Sequence, residues 1–143
     1  MALSERSVGE FLAALGERTP APASGAATAL TAALASALVE LAGRYAGDEE
    51  AIVRAKVLWS RLSELADEDA DAYTAFLAER NDETRERIIA VPLEIAECAE
   101  EAAKLAERVR SQLRTAVVGD AEAARDLATA AAKVARRIAE MNG

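Results

Sequence analysis

A chain of 143 residues in which 17 Lys and Arg stand against 25 Asp and Glu carries a net charge of −8, one cysteine and no histidine. This excludes Ser-His-Asp and Cys-His nucleophile systems, histidine-held zinc or haem, an intrachain disulfide and a Cys-rich metal cluster, and the acidic balance repels nucleic acid. With 37 alanines and only five aromatic residues, the composition also lacks the β-branched and aromatic runs of strands, so one all-α domain spanning 1–143 is expected.

Ser7 and Glu10 have capping-box spacing, and Val8, Phe11, Leu12 and Leu15 follow at i, i+3, i+4 and i+7, predicting a short first helix that Gly16 ends. The stretch Thr19-Pro20-Ala21-Pro22-Ala23-Ser24-Gly25 cannot be regular helix through its prolines. It leads into a second helix from Gly25 or Ala26 to Tyr45, whose alanines surround its circumference and mark the centre of a bundle of about five helices. Thr19 to Val39 is 21 residues without a charge, yet its large aliphatics are only Leu30, Leu34, Leu38 and Val39, so a core helix is expected and not a membrane span. The N-terminus has neither the basic region nor the apolar core of a secretion signal, and with the single thiol this gives a cytoplasmic expectation.

A third helix from Asp48 to about Arg80 carries the stripe Leu58, Leu62, Leu65, Ala72 with Tyr73, and Phe76. The position that should be apolar between Leu65 and Ala72 holds Asp69. A carboxylate in such a stripe is costly to desolvate unless it is paired, protonated or used; a salt bridge to a facing helix is the plainer reading and acid–base chemistry the sharper one. Asp67, Glu68 and Asp71 lie off the stripe and read as solvated charge. Asn81-Asp82 caps a fourth helix that kinks or restarts at Val91-Pro92 and continues through Leu113. Gly119-Asp120 reads as a C-cap followed by the N-cap of a fifth helix, which presents Ala124, Leu127, Ala131, Val134, Ile138 and Met141 inward. Asp126 sits at the edge of that face and reads first as an arginine partner. Cys98 reads as an inert half-buried thiol and Trp59 as packing.

Taken in order, Ser7-Val8-Gly9-Glu10-Phe11-Leu12, Pro20 to Ala27, Asp69-Ala70-Asp71-Ala72-Tyr73, Ala90-Val91-Pro92-Leu93, Gly119 to Leu127 and Met141-Asn142 resemble the cyclodeaminase/methenyltetrahydrofolate cyclohydrolase family, which includes the C-terminal domain of formiminotransferase-cyclodeaminase. The resemblance implies an all-helical homodimer that takes a tetrahydrofolate derivative as substrate and needs no metal. Members either expel ammonia from formiminotetrahydrofolate as the ring closes or add water to the methenyl form. Carried over by position, Asp69 and Asp126 are the expected catalytic carboxylates. Pro22, Ser24, Gly25, Tyr73 and Asp120 are the expected substrate-binding residues. The chain departs from the family where the loop Pro-x-Pro-Gly-Gly-Gly has Ala23 and Ser24 in place of its first two glycines, and where Asp120 replaces Asn. These departures leave a second reading open, a catalytically degenerate relative that kept the bundle as a binding or assembly module.

Overall fold

Alanine at the packed faces lets helix axes approach to about 8 Å, the short end of the usual range. In the computed structural model, which describes residues 1–114 and 116–143, a 3-10 turn (Leu3–Glu5) precedes five helices. These are α1 (Val8–Gly16), α2 (Ser24–Ala46), α3 (Glu49–Ala78), α4 (Asp82–Arg110) and α5 (Val118–Asn142). No strand occurs among the described residues, and the all-α expectation holds. Each of α2 and α4 packs against the other and against both α3 and α5, so the two form the close diagonal of a four-helix arrangement. Buried alanines make this contact: Ala26, Ala29, Ala32 and Ala35 on α2, Ala96, Ala99 and Ala102 on α4, and Ala128, Ala131 and Ala135 on α5. Leu58, Leu62 and Leu65 of the α3 stripe are sealed beneath them.

The joints between helices follow from their caps. Gly47 takes the left-handed conformation (φ 70°) that closes α2, a backbone state an L side chain resists. Asp48 then accepts the Ala51 N–H at 3.1 Å as N-cap of α3. The same carboxylate receives Arg108 Nε and Nη2, both at 2.9 Å, and Gln112 Nε2 at 3.0 Å, tying the start of α3 to the end of α4. These donors, Gln112 foremost, hold Asp48 below the usual carboxylate range. Asn81 and Thr84 form a reciprocal capping box at the α3–α4 turn. Along the bundle, Arg61 spans α3 and α4 by a two-pronged contact to Glu94 at 2.6 and 2.9 Å, and Arg136 joins α5 to Glu100 of α4.

Three expectations are corrected. The fourth helix stops at Arg110 and not near Leu113; the Ser111 hydroxyl donates to the Arg108 carbonyl at 2.7 Å and competes with further helical bonding. The fifth helix begins at Val118 with no side-chain cap, so Asp120 is a first-turn residue, favourable to the helix dipole, and not the N-cap. Asp67 is not solvated charge: it accepts the Leu3 N–H at 3.0 Å and pins the N-terminal turn, whose Leu3 is buried, onto α3.

Candidate functional site

Helix α2 begins where the Pro-rich loop ends, and its second residue, Gly25, is buried against α3. Ala23 is the N-cap and supplies no side-chain hydrogen bond, so the first amides of α2 lack the acceptor that Ser, Thr, Asp or Asn would provide. Against this turn lies the carboxyl of Asp69. A Cβ built on residue 25 would stand 2.1 Å from Asp69 Oδ2, 2.3 Å from Oδ1 and 2.2 Å from Cγ. Glycine at position 25 is therefore what lets the carboxyl occupy its place; the residue has no positive φ and no other reason to be glycine.

Asp69 makes no ion pair and no hydrogen bond among the described residues. Burial alone raises its pKa from 3.8 to about 6. The plainer reading, a salt bridge to a facing helix, is not what the structure shows: Asp69 is half-buried, and no guanidinium among the described residues pairs with it.

The carboxyl opens into a cavity of about 420 Å³. One wall is the loop, with Thr19, Pro20, Ala21, Ala23 and Ser24; a second is Asp69 and Tyr73 of α3, one helical turn apart; the third combines Ile88 of α4 with Ile138, Met141 and Asn142 of α5. Asp69 is the one charged side chain among these lining residues. The volume is in the range of small-molecule sites, and an apolar wall with one ionisable group is the usual makeup of such a site. Ala23 and Ser24 line the space without filling it.

Of the residues expected from sequence, Asp69, Ser24, Gly25 and Tyr73 are thus brought together, and the others are not. Pro22 stands within the loop but is not among the lining residues. Asp126 is exposed, with its side chain 73% accessible, and pairs with Arg125 at 3.1 Å. It lies 16 residues before Asn142 on α5, about 24 Å along the axis from the cavity, and Asp120 lies farther still. Within one chain neither carboxylate reaches the space beside Asp69.

Asn142 has a role that sequence reasoning named only as part of a motif. Pro92 lacks the N–H that would bond the Ile88 carbonyl four residues earlier, and the Asn142 amide supplies it instead, Nδ2 donating to Ile88 O at 2.8 Å. This bond keeps α4 continuous through Pro92 and fixes the end of α5 as a wall of the cavity. With Nδ2 committed, the side chain has its carbonyl oxygen left as a polar group. The i−4 spacing to Pro92 was the signal for the orphaned carbonyl; its donor, 54 residues away in sequence, was not readable.

Fold and cavity define a class: a helical bundle domain with a single unpaired carboxylate at the N-terminal turn of its alanine-rich helix. Residues 7–143 match the family model described as formiminotransferase-cyclodeaminase, and the chain belongs to that family. Among solved structures it resembles a formiminotetrahydrofolate cyclodeaminase from Thermotoga maritima, with a TM-score of 0.92 at 20% identity over 98% of this chain and 79% of that one. A search of curated proteins found no match.

Proposed function

We propose that this protein is a folate-dependent one-carbon enzyme, of the cyclodeaminase or methenyltetrahydrofolate cyclohydrolase type, in which Asp69 performs the proton transfer. The single observation that carries the reading is Asp69 itself, unpaired, held against Gly25 and open to a cavity large enough for a pteridine. The methenyl bridge of the substrate is a delocalised cation. A carboxylate beside it stabilises that charge and accepts the proton of an attacking water, without metal or histidine. The water oxygen bonds to the bridge carbon, one carbon–nitrogen bond then breaks as the hydroxyl of the adduct loses its proton to solvent and becomes the formyl carbonyl, and the proton held by Asp69 goes to the nitrogen that leaves. In the cyclodeaminase reaction the second folate nitrogen bonds to the formimino carbon and gives up its proton to solvent, the bond from that carbon to the terminal nitrogen breaks, and the protonated Asp69 carboxyl gives its proton to the departing ammonia. Ser24, Gly25 and Tyr73 contact the substrate in this reading, and Pro22 shapes the loop that carries them. Asp126 and Asp120 serve it only across a subunit boundary.

A cytoplasmic homodimer is the assembly we propose. Its support is an apolar face: α1 buries none of its residues, Val8, Leu12 and Leu34 are largely exposed, and a groove of about 480 Å³ runs between α1 and α2. Among the described residues α2 is the one helix long and apolar enough to cross a membrane, but half of it is already engaged with α3, α4 and α5.

The degenerate-module reading has one observation in its favour, the distance of Asp126 from the cavity. Purified protein incubated with methenyltetrahydrofolate, followed by the loss of the methenyl absorbance, separates the two. The enzyme reading expects consumption well above the buffer rate. No rate above buffer, no ammonia from formiminotetrahydrofolate and no folate binding by calorimetry would leave the module.

A further inference from the structure

A proline inside a helix orphans the carbonyl four residues before it, and the fold must supply another donor. Here the carbonyl is that of Ile88 and the donor is Asn142 Nδ2, at 2.8 Å, and both residues line the cavity. A backbone carbonyl can only accept, so this bond decides which way round the Asn142 amide stands: nitrogen toward α4, Oδ1 on the opposite side. Oδ1 accepts no hydrogen bond among the described residues, and it is not sealed away, because no buried side-chain oxygen among them is left without a partner. It is therefore an accessible acceptor, fixed in orientation by the backbone of a second helix, on a residue of the cavity wall.

The other polar side chains of the wall differ in kind. Thr19, Ser24 and Tyr73 carry hydroxyls, which rotate and serve as donor or acceptor as a ligand requires. Asp69 carries the carboxyl assigned above to proton transfer. Asn142 is the lining side chain whose acceptor the protein has set in advance. A group of this kind discriminates between ligands, because one that lacks the matching donor leaves a desolvated oxygen without a partner.

We propose that Asn142 Oδ1 is a specificity-determining contact, accepting a hydrogen bond from an amino group on the ligand's ring at the edge away from the reacting bridge. Pro92 is its positioning residue: by withholding an N–H it leaves the Ile88 carbonyl free to lock the amide. The inference rests on the folate reading of the cavity. A pteridine carries its amino group across the ring system from the bridge nitrogen, and Asn142 of α5 stands on a different wall of the cavity from Asp69 of α3.

Equilibrium binding of two compounds tests it: 5-formyltetrahydrofolate, and the counterpart in which a methyl group replaces the pteridine amino group. The wild-type protein is expected to bind the amino compound about tenfold more tightly, the scale of one hydrogen bond to a fixed partner. Asn142→Ala is expected to bind the two within about twofold of each other, through weaker binding of the amino compound. That variant also leaves the Ile88 carbonyl unpaired, so the same pair of compounds is measured on Pro92→Ala/Asn142→Ala, in which residue 92 returns a backbone N–H to that carbonyl. The double variant is expected to show no preference either. An Asn142 that serves only to hold α4 predicts the opposite, a tenfold preference recovered once the backbone bond is restored. Such a recovery, a preference that survives in Asn142→Ala, or equal binding of the two compounds by the wild type overturns the contact and leaves the folate reading standing. Binding of neither compound by the wild type overturns both.

Discussion

Gly25→Ala is expected to reduce kcat/KM for the one-carbon folate about 100-fold, the scale on which a misplaced reacting group loses its effect. The added methyl would meet Oδ1, Oδ2 and Cγ of Asp69 at 2.1 to 2.3 Å, so the whole carboxyl has to leave its seat. It is the free end of a side chain with the cavity beside it and can swing outward without moving the backbone. Alanine is also the better helix residue, by about 1 kcal/mol. The substitution is therefore expected to leave stability within about 1 kcal/mol of the wild type while activity collapses. Urea denaturation and steady-state kinetics on the same preparation check the two together. Full activity in Gly25→Ala means that the seat against α2 has no part in the chemistry.

Asp69→Asn separates charge from shape. The amide keeps the volume and cannot accept the proton, and turnover is expected to fall about 10²- to 10⁴-fold, the range of general acid–base catalysis. In the hydrating direction the carboxylate must be ionised, so the wild-type rate falls as pH drops through about 6. The residual rate of Asp69→Asn lacks that limb. Stability runs the other way. The folded pKa of about 6 lies above the ordinary 3.8, so the native state holds the proton more tightly than the unfolded chain. Wild-type stability therefore declines as pH rises from about 4 to about 6 and stays lower above that window. Asp69→Asn escapes the penalty and is expected to be the more stable protein above pH 6, by roughly 1–2 kcal/mol after discounting for partial exposure, with no difference below about pH 4. Parallel denaturation series across pH check this, and a mutant less stable at pH 8 contradicts it.

The helices were legible because their signals are local. The Leu58, Leu62 and Leu65 stripe is buried as its spacing predicts, and the same spacing marks Asp69 as the residue out of place. The loop from Thr19 to Gly25 was legible through its prolines. Which end of a helix faces a cavity was not. Sequence similarity places Asp126 and Asn142 on one helix, but only the antiparallel packing of α4 and α5 decides that Asn142 meets Ile88 while Asp126 stays about 24 Å away. Gly25 was expected among the substrate-binding residues; the group that approaches it is a side chain of the protein itself, 44 residues on, and no local rule gives that contact.

The central claim is that the Asp69 carboxyl is an unpaired, desolvated acid in the folate cavity. A ¹³C NMR titration of the aspartate carboxyls, repeated with 5-formyltetrahydrofolate and assigned with Asp69→Asn, addresses it directly. One resonance is expected to titrate near pH 6, to vanish in Asp69→Asn and to move when the folate is added. If every aspartate titrates in the ordinary carboxylate range, or the resonance near pH 6 ignores the folate, the account is contradicted.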